Sequence, residues 1–230
     1  MVGAMLLAHL VGDYVLQWDS LAGWKSRELK GVTAHCLVVT AVTWFLALLF
    51  DPTWWWGVLF ICVAHLFIDA IQLYVRPPIP ALVRFILDQA AHFAVIILAL
   101  FLGGYLQPAS VAEAWQTLLG SQQLLLILIG YAFVTMPAWV IAKFLAYGLV
   151  KGAPPNFAEG SNKYLGILER LLIVTFVALG QFILVPLVAL PRLVMEWPAR
   201  ARGDGGSVYL AETLIGVVMA VGVGLAVGWL

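Results

Sequence analysis

Apolar residues run along this chain in long, nearly unbroken stretches, and polar residues collect in the short segments between them. Seven such stretches lie at 2–18, 32–50, 54–75, 81–103, 121–148, 164–190 and 208–229. Most come close to the ~20 residues that a helix needs to cross ~30 Å of hydrocarbon. None alternates with the two-residue period of a barrel strand. In lipid every backbone N–H and C=O must also find its partner within the segment, so helices are expected. The pattern predicts an all-α, polytopic transmembrane helix bundle of about seven spans. It forms one membrane domain over 1–230, with a four-helix half at 1–103 and the remaining spans at 121–230.

The breaks in the pattern have identifiable causes. Asp51-Pro52 marks a tight turn, and Trp54, Trp55 and Trp56 follow it as an aromatic belt at headgroup level. Arg76-Pro77-Pro78-Ile79-Pro80 stops the third span, because proline lacks the donor a helix needs. Residues 107–120 are weakly amphipathic and are expected along the interface; residues 151–162, with Pro154, Pro155 and Asn156, are expected to form a loop. Met1 to Trp18 lacks a basic leading region and a small-residue cleavage site, and reads as a retained first span rather than a signal peptide.

Against this background the intramembrane polar residues stand out. All four histidines lie in apolar stretches, and three have an aspartate one helical turn away: His9/Asp13, His65/Asp69 and Asp88/His92. His35 stands alone near the start of its stretch. A charged group at the bilayer centre costs at least ~2.5 kcal/mol, so such residues generally carry a task. Residues at i and i+4 share a helix face, which gives the stripes His9–Asp13–Gln17, His65–Asp69–Gln72 and Arg84–Asp88–His92.

Composition and charge add orientation. The chain is 63% hydrophobic and 10% charged, against roughly a quarter charged in a soluble domain. Its formal net charge is zero, so no basic field points to a nucleic-acid partner. Cys36 and Cys62 stand in no CxxC pattern and read as small buried thiols. Lys25, Arg27 and Lys30 lie in the first loop, Arg76 and Arg84 flank the third, and Lys143, Lys151 and Lys163 border the fifth; the second and fourth hold no Lys or Arg. The positive-inside rule then puts the odd loops in the cytoplasm and the N-terminus outside. Arg192, Arg200 and Arg202 in the sixth loop conflict with that alternation, and a re-entrant 164–190 segment or a miscount around Pro137 or Pro186 would remove the conflict.

On this topology Asp13, His35, Asp69 and Asp88, with their partners, fall within roughly 5–15 Å of the cytoplasmic face on four different helices. Mixed imidazole and carboxylate ligands suit Zn, Fe or Mn, and helix bundles build metal sites from inward-facing residues of this kind. The candidate ligands are His9, Asp13, His35, His65, Asp69, Asp88 and His92, for one divalent transition metal or two; no organic cofactor is indicated. Gln17 and Gln72 are candidates for supporting hydrogen bonds, and Lys25 and Arg84 for receiving an anionic head group. Glu169 and Glu212 lie inside late stretches, with Glu212 opening a small-residue face at Gly216, Ala220, Gly224 and Gly228. Arg170 is expected to snorkel to the interface while Glu169 faces the bundle.

The strings HLVGDYVLQ (9–17) with Lys25 downstream, HLFIDAIQLY (65–74), DQAAH (88–92), LGILERLLIV (165–174) and AETLIG (211–216) resemble the bacterial membrane family called domain of unknown function 3307. The resemblance implies that His9, Asp13, Gln17, Lys25, His65, Asp69, Asp88, His92, Glu169, Arg170 and Glu212 are family-pattern positions, and it implies a multi-pass protein of the bacterial inner membrane. It fades after Gln181, where relatives tend to carry a Lys-containing helix and this chain reads VPLVALPRLV (185–194). The leading expectation is a metal-dependent hydrolase acting on a lipid-like, membrane-associated substrate, with Asp13, Asp69, Asp88 or Glu169 as the general base toward water. The alternatives are a metal-ion or proton transporter, and a structural or sensory membrane protein.

Overall fold

The computed structural model describes residues 1–106, 122–155, 157, 163–200 and 205–230. The predicted interfacial stretch 107–120 and half of the 151–162 loop, residues 156 and 158–162, lie outside the described residues. Among the described residues the chain is all helical. It packs as two compact units, 1–79 with 83–129 and 80–82 with 130–230, so the division falls at the start of one helix and inside another.

The first unit begins with α1 (Val2–Leu10), which continues into a π turn (Val11–Val15) and ends at Leu16. The Leu16 N–H reaches back five residues to Val11 O at 2.8 Å, which closes that wider turn. The short helix α2 (Asp19–Lys25) follows, then α3 (Leu29–Phe50), α4 (Trp55–Tyr74) and α5 (Ala81–Leu102). Gly104, at φ 75°, ends α5: its N–H bonds Phe101 O while the Tyr105 N–H bonds Leu100 O, the paired closure that a left-handed glycine permits. Met5, Ala47, Trp54, Val58, Ile61, Ile96 and Leu100 pack together as the apolar core of α1, α3, α4 and α5. Leu37, Phe45, Leu49, Phe67, Leu87 and Phe101 point outward and are exposed. Polar residues inside and large apolar residues outside are the reverse of a water-facing surface and match a lipid solvent.

The second unit takes up the last residues of α6 (Gln123–Val134), which meets α7 (Met136–Val150) at a 44° bend at Thr135, two residues before Pro137. Proline supplies no N–H and crowds the preceding turn, so Pro137 gives the Phe133 carbonyl no helical donor and bends the helix. The Arg170 guanidinium reaches the next two carbonyls at the bend: Nε donates to Val134 O at 2.7 Å and Nη2 to Thr135 O at 3.0 Å, and Thr135 O also accepts the Trp139 N–H at 3.3 Å. The expected snorkelling of Arg170 is therefore corrected, because these carbonyls draw its head inward. Next come α8 (Lys163–Ala178), α9 (Leu184–Arg200) and α10 (Gly206–Gly228), with α8 packed on α10 and α7 also against α10.

Four helices, α3, α4, α5 and α10, are long and apolar enough to cross a membrane among the described residues, and the bent pair α6 and α7 makes a fifth if read as one span. The other expected spans come out shorter. Val2–Val15 is a shorter apolar helix, and 164–190 is divided at Gly180, whose φ of 72° closes α8 as Gly104 closes α5. Arg192, expected in a loop, lies within α9.

Candidate metal centre

In the first unit, α1 with its π turn, α3, α4 and α5 turn their polar residues toward one another. His9, Asp13, His35, His65, Asp69 and His92 are all buried, His35 completely, and Asp88 is partly buried. The π turn matters for Asp13. Its Oδ2 is 4.0 Å from His9 Nε2, while Oδ1 crosses to α3 and lies 2.9 Å from His35 Nε2. Gly12 within the turn allows this approach, since a Cβ there would lie 3.1 Å from Val39 Cα.

Two imidazoles then face each other. His65 Nε2 lies 3.3 Å from His35 Nε2, 3.8 Å from Asp13 Oδ1 and 3.3 Å from Asp69 Oδ2. On α5, His92 Nδ1 lies 2.9 Å from the Asp88 backbone oxygen, which turns Nε2 to within 3.8 Å of Asp69 Oδ1. His92 Nε2 and His35 Nδ1 are buried with no hydrogen-bond partner, and Asp88 Oδ1 has His92 Nδ1 at 3.2 Å. Buried polar atoms without partners are uncommon and call for an explanation. Ligand atoms from Asp13, His35 and His65 lie within 4.8 Å of one another, as do those from Asp69, Asp88 and His92 and those from Cys36, His65 and Asp69. The imidazole and carboxylate donors suit a divalent transition metal. A cavity of about 10 Å³, close to one water-sized position, adjoins His9, His65 and His92.

Two further participants escape the sequence pattern, and a third takes a place in the cluster other than the rim position expected for it. Gln89 contacts His9 Nε2 through Oε1 at 3.2 Å and donates through Nε2 to Asp88 Oδ2 at 2.9 Å and to Asp13 Oδ2 at 3.4 Å. Its signal was the amide-bearing residue beside Asp88 in DQAAH, masked because adjacent residues point to different helix faces. Cys36 is buried and its thiol lies 3.9 Å from Asp69 Oδ2. The third is Lys25, whose Nζ sits 2.8 Å from Asp69 Oδ2 and 3.6 Å from Asp13 Oδ1. Burial pulls the Lys25 pKa down, but Asp13 and Asp69 outweigh it and hold it above the ordinary lysine value, so the group stays charged. Gly31 permits this placement. A Cβ there would fall 2.4 Å from the Trp24 carbonyl carbon and 2.5 Å from the Lys25 nitrogen, so α2 lies directly on the start of α3.

Other expected site residues stay apart from this cluster. The helix ends before Gln17, which takes it off the stripe with His9 and Asp13; its Oε1 is buried without a partner. Among the described residues no hydrogen bond joins Gln72 to the cluster, and no ion pair joins Arg84 to Asp88. Glu169 and Glu212 belong to the second unit. Glu169 Oε2 is held by Arg192 Nη1 at 2.8 Å, and Glu212 Oε2 lies 4.0 Å from the fully buried Lys143 Nζ.

The chain belongs to the family described as Protein of unknown function (DUF3307), whose model matches residues 1–126. That match contains every residue of the His/Asp cluster and ends before Glu169 and Glu212. No curated protein and no solved structure matches the chain.

Proposed function

We propose that the His/Asp cluster is a metal centre and that the protein is a metal-dependent membrane hydrolase acting on a lipid-like, membrane-associated substrate. It would be a multi-pass protein of about seven spans in the bacterial inner membrane, with the N-terminus outside. The observation that carries this reading is the pair of donor sets, Asp13/His35/His65 and Asp69/Asp88/His92, in which His92 Nε2 is buried without a partner. A bound divalent transition metal would satisfy this atom and supply Lewis-acid polarisation of an ester or phosphoryl oxygen. Asp69 stands between the sets, 3.6 Å from His35 and 3.8 Å from His92, which suits a carboxylate shared by two positions or one acting as general base. His9 and Gln89 orient Asp13 and Asp88 from behind. The Lys25 ammonium compensates the buried carboxylates, a role different from receiving a head group at the rim.

Lys25 also favours a second reading, cation transport, in which a tethered ammonium exchanges with the transported ion at the same carboxylates. One pair of assays separates the two. Hydrolysis of a chromogenic long-chain ester in detergent micelles is expected to fall on chelation, return with added Zn, Fe or Mn, and vanish in His65→Ala. Chelator-insensitive turnover would overturn the hydrolase reading. Metal flux into proteoliposomes without any turnover would select transport.

A further inference from the structure

The second unit holds a separate cluster of buried charges, outside the stretch that the family match covers. Arg170 is buried on α8, and its hydrogen bonds go to the carbonyls of Val134 and Thr135. Among the described residues no carboxylate lies within 4.0 Å of it. The nearby acids are engaged elsewhere, Glu169 with Arg192 and Glu212 facing Lys143. Both acids line the pocket and act on Arg170 only from a distance, while its direct hydrogen bonds go to carbonyls alone, so a counter-anion in contact with the guanidinium would stabilise it further. Two details show where an anion would sit. At Gly166 an added Cβ would lie 2.7 Å from Arg192 Nη1 and 3.5 Å from Arg170 Nη1, so both guanidinium tips converge over a position without a side chain. Trp139, 8% exposed, lines the same pocket, and its indole N–H is buried with no acceptor.

We infer that this pocket between α7, α8 and α10 is an anion site for a phosphate group, held by Arg170 Nη1, Arg192 Nη1 and the Trp139 indole N–H. Guanidinium groups match phosphate oxygens in geometry and charge. The pocket is narrow inside, about 10 Å³ or one water-sized position, and amounts to about 330 Å³ with its open mouth. It therefore takes one or two phosphate oxygens and leaves the rest of the group at the mouth, where Lys163 lies over the Trp139 ring at 5.6 Å. The phosphate can come from an anionic lipid head group or from free inorganic phosphate.

Two probes distinguish these sources on the full chain: equilibrium dialysis with radiolabelled inorganic phosphate, and native mass spectrometry in micelles containing phosphatidylglycerol or phosphatidylcholine. Saturable binding at one site is expected, weakened about tenfold in Trp139→Phe, which keeps the ring and removes the donor, and in Gly166→Ala, which separates the guanidinium tips. Binding in the lipid arm alone identifies a head-group site, and binding in the phosphate arm identifies a free-anion site. Binding in neither arm overturns the inference, as does binding that both variants retain at full strength while circular dichroism shows them folded.

Discussion

Lys25 has the most informative position of any single residue in the metal centre. Its ammonium lies on both Asp69 and Asp13, where an added cation would compete with it. Replacing it with methionine keeps the aliphatic stem and removes the charge, so Lys25→Met is expected to tighten metal binding by about tenfold or more, measured by competition with a chromophoric chelator. Unchanged affinity would mean that Lys25 and the metal do not share ligands. A second residue-scale expectation concerns the turn after α3. The Thr53 hydroxyl, Tyr105 hydroxyl and Thr53 N–H all donate to Asp51 and hold its carboxyl below the ordinary aspartate range. Burial and that carboxylate push the Tyr105 hydroxyl up to about 12. A depressed folded pKa gives stability that is complete above the unfolded value of about 3.9 and is lost as pH falls through the folded value. Asp51→Asn should therefore lower Tm at pH 7, with the gap to the parent narrowing progressively as pH falls below about 4; a gap that does not narrow contradicts this.

At the scale of elements, the first half of the chain was far more legible than the second. The stretches 32–50, 54–75 and 81–103 became α3, α4 and α5 with ends shifted by a few residues, because Asp51-Pro52 and the 76–80 proline string stop helices by chain chemistry alone. The i,i+4 pairs His65/Asp69 and Asp88/His92 remained neighbours on regular helices. The third pair was altered by the π turn, which no hydrophobic period announces and which sends Asp13 toward His35. Gly180 ends α8 in an apolar stretch where glycine is otherwise common, so the break is invisible to hydropathy. Arg170 and Lys143 were read by the rule that charges seek water, yet tertiary acceptors and aromatic rings draw both inward. Gly31 offers the element-scale test. A methyl group there must push α2 off α3 and carry Lys25 with it. Gly31→Ala is expected to cost on the order of 1–3 kcal/mol of stability and to tighten metal binding in the same direction as Lys25→Met. A variant with parental Tm and parental affinity would show that α2 does not depend on that contact.

For the molecule as a whole, the family match, the first compact unit and the His/Asp cluster nearly coincide along the chain, whereas the Arg170–Arg192 pocket lies in the remainder. Chemistry thus concentrates in two places, one rich in metal-type donors and the other in buried cations. The family carries no assigned activity, so the metal is the claim on which the rest depends. Elemental analysis of the purified full chain after expression in metal-replete medium tests it most directly, with Asp69→Asn as the paired sample. Near-stoichiometric Zn, Fe or Mn is expected in the parent, with at least a tenfold loss in a folded Asp69→Asn variant. Equal, background-level metal in both would contradict it.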